Sequence, residues 1–472
     1  MSFSDLDNLI RDNFCDVSID KRLSRQVAGT SQAIPDYVSD WLVSRYTTDG
    51  KVDESKISAF LSRHLPDKKH KNILLDELRR GQSLKILDAY TARVDIANNK
   101  LKLDIPSLDI SGATIRDAIV EEHPLLLMGN VWGSGTLVSQ PSIDNPDKYE
   151  VGMVDFKPMQ TSKVDINFYI NARKNFTLRQ WRELLIRSMG YNPGVYTQPE
   201  QMHLLTRLAP LIQQSVNLIE LAPKGTGKSY VYSRLSRHAW LISGGVVTRA
   251  QLFYNMGSKT SGVITKFDAI VLDEIQTIKF SDEGELVGAM KGYLEQGEFR
   301  VMQYKGSSDA SFILLANIPL NEDSTPREVD LFTGLPAWMQ GQTSSALIDR
   351  FHGIIPGWEI RKISKECLCD GMALKADYFG EIFHALRGRT EYMQWVKDHT
   401  RSNGNLRDIN AVERLASAFL KLLFPDLSLV TPEQFRESCL SPAKELRKRI
   451  RKQLAICDPE FQADLAEIEI HV

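Results

Sequence analysis

The sequence contains little cysteine and no long hydrophobic run. Its 472 residues include five scattered cysteines, an odd number, so reduced thiols are predicted rather than a disulfide framework. No segment approaches the roughly 18 consecutive apolar residues that a membrane span requires. The acidic start MSFSDLDNLIRDNF lacks the apolar core of a signal peptide. A soluble, cytoplasmic protein with no membrane partner is therefore predicted.

The histidine pattern and the net charge place few limits on the function of the protein. The nine histidines form no HExxH or similar ligand pattern, so no transition-metal site is predicted. Lys and Arg (58) nearly balance Asp and Glu (60), and the net charge of −2 neither requires nor excludes a polyanionic partner. The charged fraction of 25% is ordinary for globular proteins, which excludes global disorder.

Four segments with different patterns predict a multidomain α/β protein. Residues 1–83 show apolar spacing of three and four, which indicates a helical region. Residues 84–170 contain short β-rich runs between turn residues, and an OB-like barrel that binds DNA is the favoured interpretation. Residues 171–360 alternate strands and helices, which predicts a parallel sheet with flanking helices. Residues 361–472 are predicted to form a helical lid and a basic tail.

The segment VNLIELAPKGTGKSYVYSRLS predicts a phosphate-binding loop for ATP. An apolar strand over 216–221 enters a glycine-containing turn that precedes a helix, which is the context of such loops. Lys228 is expected to reach the β- and γ-phosphates, and the Ser229 hydroxyl to bind Mg²⁺. The pattern departs from GxxxxGK[ST] where an alanine replaces the first glycine. The predicted nucleotide contacts are Ala222, Pro223, Lys224, Gly225, Thr226, Gly227, Lys228 and Ser229.

Two further strands are predicted to end in catalytic side chains. KFDAIVLDEIQ is an apolar strand over 269–272 that ends at Asp273, expected to support Mg²⁺, and Glu274, expected to be the general base. ASFILLANIP places Asn317 just past its apolar run, where it is expected to orient the attacking water. The order of these elements resembles that of the AAA+ superfamily. This resemblance implies a ring in which an arginine of one subunit completes the neighbouring site.

Two arginines are assigned by resemblance. The segments ALIDRFHG and NGNLRDINAVERLASAFLKLL resemble MCM-type helicases, in which an S-R-F triplet carries the arginine finger and a lid helix opens with the sensor 2 arginine. The resemblance implies that Arg350 is the finger and Arg407 the sensor 2 residue, although Asp349 replaces the serine. The sequence alone favours a surface residue or salt-bridge partner for each arginine.

Three basic segments are candidate DNA contacts, each with a structural alternative. Arg300 and Lys305, with a turn at 306–308, form either a basic loop tip that contacts DNA or a solvated hairpin. A basic segment before the barrel is either a DNA contact or a solvated helix face; it includes Lys68, Lys69 and Lys71. The stretch KELRKRIRK at 444–452 is a DNA contact, an inter-subunit helix or a charged tail.

The opening LDNLIRDNFCDVSIDKRL, the segment HPLLLMGNVWGSGTLV and the P-loop core together resemble the BrxL family of BREX phage-defence systems, over about residues 5–425. The resemblance implies an MCM-like AAA+ motor that forms hexamers or stacked hexamers around duplex DNA, with other BREX components as further partners. Longer members continue into a Lon-protease-like domain with a Ser-Lys pair. Because this chain ends at Val472, it is expected to be a short form without protease activity.

The predicted function is an ATP-hydrolysing AAA+ motor that encircles and translocates on DNA. One alternative is a protein remodeller of the Lon type without protease activity, for which Tyr293 and Phe299 would supply an aromatic pore loop. A second alternative is a DNA clamp assembled by ATP binding. Glu274 counts against the clamp, because a clamp needs no general base.

Overall fold

The structure is a computed structural model that describes residues 4–28, 34–48, 51–142, 145, 147–159, 164–257 and 259–470. The chain forms two compact units. The larger unit comprises residues 1–18, 165–374 and 379–472, and the smaller unit comprises residues 19–164 and 375–378. None of the helices that the structure describes is long and apolar enough to cross a membrane.

The described chain contains helices and strands in a mixed α/β arrangement. The helices are α1 Asp5–Phe14, α2 Lys21–Ala28, α3 Asp36–Tyr46, α4 Glu54–His64, α5 Lys71–Arg79, α6 Asp117–Glu122, α7 Ile166–Arg173, α8 Leu178–Ser188, α9 Gln198–Thr206, α10 Ala209–Ile212, α11 Lys228–Arg234, α12 Arg249–Leu252, α13 Glu283–Gln296, α14 Ser345–Ile348, α15 Ala376–Arg387, α16 Glu391–His399, α17 Leu406–Leu423, α18 Pro432–Phe435 and α19 Ser441–Cys457. The strands are β1 Ser18–Asp20, β2 Thr47–Thr48, β3 Lys51–Val52, β4 Leu84–Asp95, β5 Lys100–Ile105, β6 Ile110–Ile115, β7 Val131–Pro141, β8 Tyr149–Pro158, β9 Leu218–Ala222, β10 Ala239–Val247, β11 Tyr254–Asn255, β12 Thr260–Ser261, β13 Ala269–Phe280, β14 Glu298–Val301, β15 Tyr304–Ser307, β16 Ser311–Asn317, β17 Gly353–Pro356, β18 Met372–Leu374, β19 Thr400–Ser402 and β20 Ile468–Ile470.

The smaller unit contains a closed five-stranded barrel, as the β-rich runs predict. The strands close in the order β4-β5-β6-β8-β7, and only the β6–β8 pair is parallel. Alternate residues point inward, so Tyr90, Leu103 and Leu137 are fully buried. Gly135 of the WGSGTLV segment gives these side chains room, because a Cβ there would lie 2.5 Å from Met153 Cε and 2.7 Å from the Tyr90 hydroxyl.

The larger unit contains the predicted parallel sheet, with strands in the order β10-β13-β16-β9-β17. All five residues of β9 are buried, because strands and helices cover this strand on every side. The strand begins at Leu218 rather than at Val216. The N–H of Val216 donates to the Ser311 hydroxyl (3.0 Å) and the N–H of Asn217 to His352 Nδ1 (2.7 Å), so side chains replace the strand ladder at these two residues.

The strand that carries the two acidic residues is longer than predicted. Strand β13 does not end at Asp273 but continues to Phe280. Its register with β10 jumps from the pair Ser243–Asp273 to the pair Gly245–Ile278, so residues 274–277 bulge out of the ladder. The bulge begins at Glu274, whose φ of 51° lies in the left-handed region. Glu274 is therefore lifted out of the sheet and exposed.

The basic segment at 444–452 lies in α19 and is not a free charged tail. Arg447 is buried, and its guanidinium binds Asp408 (2.7 Å) and Asp349 (2.6 Å). It also donates to the backbone carbonyls of Asp349 and Phe351. Because a buried guanidinium needs this many partners, the position of Arg447 fixes α19 against the chain that enters β17.

Lys421 of α17 supplies a test of the packing of the helical region. Its side chain is fully buried and its ammonium donates to the carbonyls of Arg387 (3.0 Å) and Ile212 (3.4 Å). Burial lowers the pKa of Lys421 to about 7. An unfolded lysine has a pKa of about 10.4, so the unfolded chain binds more protons between these pH values and stability rises with pH in this window.

We expect Lys421→Met to remove that pH dependence. Between pH 7 and pH 9 the unfolding free energy of the wild type should gain up to about 1.4 kcal/mol per pH unit relative to the variant. Thermal unfolding midpoints measured across this range check the prediction, with the exposed Lys452→Met of α19 as the control. Parallel midpoint curves for the wild type and Lys421→Met would show that the lysine keeps its charge in the folded protein.

Candidate ATPase site

The predicted phosphate-binding loop lies at the carboxyl end of β9. Gly225 and Gly227 have φ values of 89° and 72°, which side chains rarely adopt. Gly227 also has no room for a side chain, because a Cβ would lie 2.4 Å from Ile363 Cδ1 and 2.6 Å from the Tyr191 hydroxyl. The carbonyl of Gly225 accepts from the N–H of Ile363 (2.8 Å), which holds the loop in place.

The alanine at the first loop position is explained by a glycine across from it. Ala222 is the last residue of β9 and is fully buried. A Cβ on Gly357 would lie 2.4 Å from the Ala222 Cβ. The space that the first glycine would leave empty is therefore filled by Ala222, and Gly357 lacks the side chain that would collide with it.

Four of the predicted site residues meet at this edge of the sheet. The Lys228 ammonium donates to Asn317 Oδ1 (2.6 Å), and the Ser229 hydroxyl donates to Asp273 Oδ2 (2.5 Å). These contacts form because β9, β13 and β16 are parallel, so their carboxyl ends lie side by side. Burial lowers the pKa of Lys228. The site therefore combines one cation with a hydroxyl, a carboxylate and an amide.

Glu274 contacts this group through its backbone. Its N–H donates to Asp273 Oδ1 (2.8 Å), and its carbonyl accepts from the Thr277 hydroxyl (2.9 Å). Its side chain is exposed. A carboxylate that is held by its backbone next to the metal-binding position and remains open to solvent is suited to accept a proton from water.

The residues present fit a magnesium nucleotide. A serine hydroxyl beside an aspartate carboxylate is the oxygen donor set that Mg²⁺ prefers. The loop also contains a buried polar atom, the Thr226 hydroxyl, which has no hydrogen-bond partner within the described chain. Ser229 and Asp273 would hold the ion, while Lys228 and the loop would hold the phosphates.

A buried ion pair beneath the loop was not predicted from the sequence. Arg207 and Glu220 are both fully buried and form two hydrogen bonds, of 2.6 and 3.1 Å. Arg207 also donates to the carbonyl of Thr226 (3.1 Å), so the pair supports the loop from below. The available signal was Glu220 itself, since an acidic residue within an apolar strand must have a partner.

The two predicted interface arginines lie at the amino end of the strands, opposite the phosphate-binding loop. Arg350 lies three residues before β17, and the N–H of His352 donates to the carbonyl of Asn217, just before β9 begins. The strands are parallel and rise about 3.3 Å per residue, so roughly 16 Å separate Asn217 from Ala222 at the loop. Arg350 is therefore remote from the phosphate-binding loop of its own subunit.

Arg407 forms a cluster with Arg350, Glu295 and Asp349, although it is far from Arg350 in sequence. Its guanidinium makes two hydrogen bonds to Glu295 (3.1 and 2.9 Å) and one to Asp349 (2.9 Å). Arg350 Nε forms an ion pair with the same Glu295 (2.8 Å), and Arg350 also donates to the carbonyl of Ala346. These side chains line a small cavity of about 70 Å³.

The insertion before β16 is a β-hairpin whose turn differs from the predicted one. Strands β14 and β15 pair Val301 with Tyr304, so the turn is at 302–303 and not at 306–308. Met302 occupies the tip with a φ of 51° and is 66% exposed. Arg300 is exposed on β14, and Lys305 on β15 pairs with Glu298 (2.8 Å).

The aromatic residues proposed for a pore loop are not exposed. Tyr293 and Phe299 are each only 3% exposed and belong to the core beneath the hairpin. The Tyr293 hydroxyl donates to the carbonyl of Ala310 (2.6 Å). The aromatic pore loop that these two residues were predicted to form is therefore wrong.

The basic segment before the barrel is partly neutralised. Lys68 and Lys69 are exposed, whereas Lys71 pairs with Asp109 (3.0 Å). Two exposed lysines remain as candidate phosphate contacts of the smaller unit.

A histidine cluster in the larger unit is not arranged for a metal ion. His238, Asp268 and His384 bring ligand atoms within 4.8 Å of one another. The two rings stack in parallel at 4.0 Å, so their in-plane nitrogen lone pairs do not converge on one point. His384 instead bonds to Asp268 (2.7 Å) and His238 to Glu381 (2.9 Å).

Comparison with known proteins identifies the family. A family model described as the ATPase domain of Lon-like protease BrxL-like proteins matches residues 151–467, more than half of the chain. The chain belongs to the BrxL family. The N-terminal model of this family, described as that of a BREX system Lon protease-like protein, matches residues 12–138. The chain therefore carries a BrxL-type ATPase domain, and this domain contains every predicted nucleotide-binding residue.

Two curated relatives are similar along almost the whole chain. The Lon-like protease BrxL of Escherichia coli O9:H4 (strain HS) is 31% identical over 459 residues, which cover 95% of this chain and 65% of the relative. The Lon-like protease BrxL of Bacillus cereus (strain H3081.97) is 28% identical over 460 residues, which cover 95% and 67%. The chain thus spans about two thirds of the length of these relatives.

Proposed function

We propose that this BrxL-family protein is an ATP-dependent, ring-forming DNA motor of a BREX-type defence system. The observation that carries the proposal is the division of the catalytic groups between the carboxyl and amino ends of the strands of one sheet. Lys228, Ser229 and Asp273 form the nucleotide-binding half at the carboxyl end. Arg350 and Arg407 lie at the amino end and would complete the site of a neighbouring subunit.

The chemistry follows from the groups at the nucleotide-binding half. Lys228 neutralises charge on the β- and γ-phosphates, and Ser229 and Asp273 would hold Mg²⁺, which would supply further neutralisation there. Glu274 accepts a proton from water as the water oxygen bonds to the γ-phosphorus. The bond from that phosphorus to the β,γ-bridging oxygen breaks, which releases ADP and phosphate. Asn317 would orient the water, and its contact with Lys228 would keep both side chains in place.

A ring explains why the arginines face away from their own loop. In a closed ring each subunit presents one edge to each neighbour, so a loop of one subunit can meet the arginines of the next. Arg350 would then stabilise the negative charge that develops on the transferred phosphoryl group. A hexamer, or two stacked hexamers, is the assembly that we propose on the basis of family resemblance.

The smaller unit supports DNA as the track. Numbered within the barrel, its strand order is 1-2-3-5-4, with a parallel 3–5 pair and α6 between strands 3 and 4, which supports the predicted OB-like fold. OB folds bind nucleic acid through loops 1–2 and 4–5. Ile96, 85% exposed, lies in the first of these loops, and Tyr149, 71% exposed, follows the second. We propose that this face contacts duplex DNA. Lys68 and Lys69 would form a separate phosphate contact, because the neighbouring Lys71 pairs with Asp109 at the other end of β5.

The experiment is the steady-state ATPase rate with duplex DNA, single-stranded DNA or an unfolded polypeptide added. We expect duplex DNA to stimulate turnover and Arg300→Glu at the hairpin to reduce that stimulation, because a charge reversal repels the phosphate backbone. Lys266→Glu, an exposed charge reversal outside the two strands of the hairpin, is the matched control.

Each of the other outcomes contradicts part of the proposal. Stimulation by unfolded polypeptide alone would contradict the DNA motor and support a protein remodeller. DNA binding that requires ATP, without turnover, would support the clamp. Stimulation that Arg300→Glu and Lys266→Glu leave equally intact would exclude the hairpin as the DNA contact.

A further inference from the structure

We propose that Glu295 is a positioning residue that couples the arginine pair Arg350 and Arg407 to the β14–β15 hairpin. The inference rests on the proposed function, in which the arginines meet the nucleotide of a neighbouring subunit. It adds a route by which the presence of that nucleotide changes the position of the hairpin.

Glu295 is shared by both arginines. Its Oε2 lies 2.8 Å from Arg350 Nε and accepts from Arg407 Nη2 at 2.9 Å, while its Oε1 accepts from Arg407 Nε at 3.1 Å. The side chain of Glu295 is 31% exposed and that of Arg350 17%. The group is therefore partly open to solvent, so a phosphate brought by another subunit can approach it.

The remaining carboxylate of the cluster is already shared with a structural residue. Asp349 accepts from Arg407 at one oxygen and from the buried Arg447 at the other. Arg350 has Glu295 as its carboxylate partner among the described residues. A phosphate that attracts Arg350 and Arg407 would therefore compete chiefly with Glu295, because Asp349 remains bound to Arg447.

Glu295 is also connected to the base of the hairpin. It lies one residue before Gln296, the last residue of α13, and Gly297 caps the helix with a φ of 71°. The N–H of Gly297 donates to the carbonyl of Tyr293 (2.7 Å), and its carbonyl accepts from the N–H of Ser308 (2.9 Å). The last turn of α13 and both ends of the hairpin therefore meet at one point.

The junction between α13 and the hairpin leaves the two segments little freedom to move independently. A Cβ on Gly297 would lie 2.8 Å from the carbonyl oxygen of Ser308, so the two segments are in direct backbone contact. The Tyr293 hydroxyl binds the carbonyl of Ala310 just beyond the hairpin. A change in the position of Glu295 would thus be transmitted through α13 to β14 and β15. By linkage, a ligand that moves the hairpin would alter the affinity of the arginines for phosphate.

The test compares wild type with Glu295→Gln by hydrogen exchange of residues 298–307 in assembled protein, with ADP or a non-hydrolysable ATP analogue bound. We expect the wild type to show a difference between the two nucleotides that Glu295→Gln loses. We also expect the ratio of ATPase rates with and without duplex DNA to fall to about one in the variant, because DNA at the hairpin no longer affects the arginine pair. Glu283→Gln, an exposed change on the first turn of α13, should behave as wild type.

The two readouts separate this proposal from the proposed function. If DNA does not stimulate the wild type but the exchange difference is present and is lost in Glu295→Gln, the coupling stands and the DNA motor does not. If the exchange difference is absent from the wild type or is retained in the variant, the coupling is wrong. Thermal unfolding shows whether Glu295→Gln is folded, and Glu295→Asp, which keeps the charge, should recover part of the exchange difference if charge carries the coupling.

Discussion

Glu274→Gln is expected to lower the ATP turnover rate by about 10²–10⁴-fold, the usual contribution of a general base. The substitution preserves the size and shape of the side chain but replaces the basic carboxylate with a neutral amide, which does not accept a proton. The backbone contacts of Glu274 with Asp273 and Thr277 do not involve the side chain, so the bulge of β13 should persist. ATP should therefore still bind.

Measurement of ATP affinity together with the steady-state rate distinguishes this effect from loss of the site. Lys228→Ala is the matched comparison, because it removes the phosphate contact and should lose both binding and turnover. A Glu274→Gln protein that hydrolyses ATP at the wild-type rate would show that another group accepts the proton. A variant that fails to bind ATP would show that Glu274 supports the loop rather than the chemistry.

Arg350→Ala is expected to lower turnover by about 10³-fold or more, as removal of an arginine finger does in other phosphoryl-transfer enzymes. Its guanidinium would act on the phosphoryl group of a neighbouring subunit, since its own loop lies across the sheet. Arg350→Lys should recover little, because an ammonium cannot reproduce the planar array of guanidinium donors.

The rate should be compared with that of Arg401→Ala, which removes an exposed arginine of β19. Thermal unfolding and ATP affinity should be close to wild type for both variants, since Arg350 pairs with a partly exposed carboxylate and such pairs add little stability. An Arg350→Ala protein with full activity would contradict the finger assignment. It would also show that the cluster around Glu295 has a structural role and no role in turnover.

The sequence predicted which strand ends meet at the candidate nucleotide site, because the signals for these strands are local. A strand, a glycine turn and Gly227-Lys228-Ser229 occupy one short stretch, and acidic or amide residues mark the ends of the next strands. Parallel pairing then brings these strand ends together. The barrel was likewise predictable from short β-rich runs separated by turn residues.

The features that were missed depend on contacts between distant parts of the chain. Gly357, which makes room for Ala222, follows the phosphate-binding loop by more than a hundred residues. Arg447 looked like part of a basic surface because no local pattern shows that Asp349 and Asp408 will surround it. Glu295 carried no motif, and only the fold brings it to both arginines.

The hairpin and the long strand β13 show a second limit of prediction from sequence. The glycine and serines at 306–308 suggested a turn, but pairing with β14 places Gly306 and Ser307 in β15. The acidic pair Asp273-Glu274 suggested a strand end, but the chain bulges there and continues. At 306–308 strand pairing overrides the local turn preference, whereas at Asp273-Glu274 a bulge lets the strand continue beyond the acidic pair.

The central claim is that one active site is built from two subunits, and mixing two inactive variants tests it most directly. Lys228→Ala lacks a working loop and Arg350→Ala lacks a working finger, but an Arg350→Ala loop beside a Lys228→Ala finger is complete. Random mixing of equal amounts into rings should therefore restore about one quarter of the wild-type ATPase rate, since one interface in four has both halves intact. Mixed rings that form but remain inactive would contradict a shared site and place the finger within its own subunit.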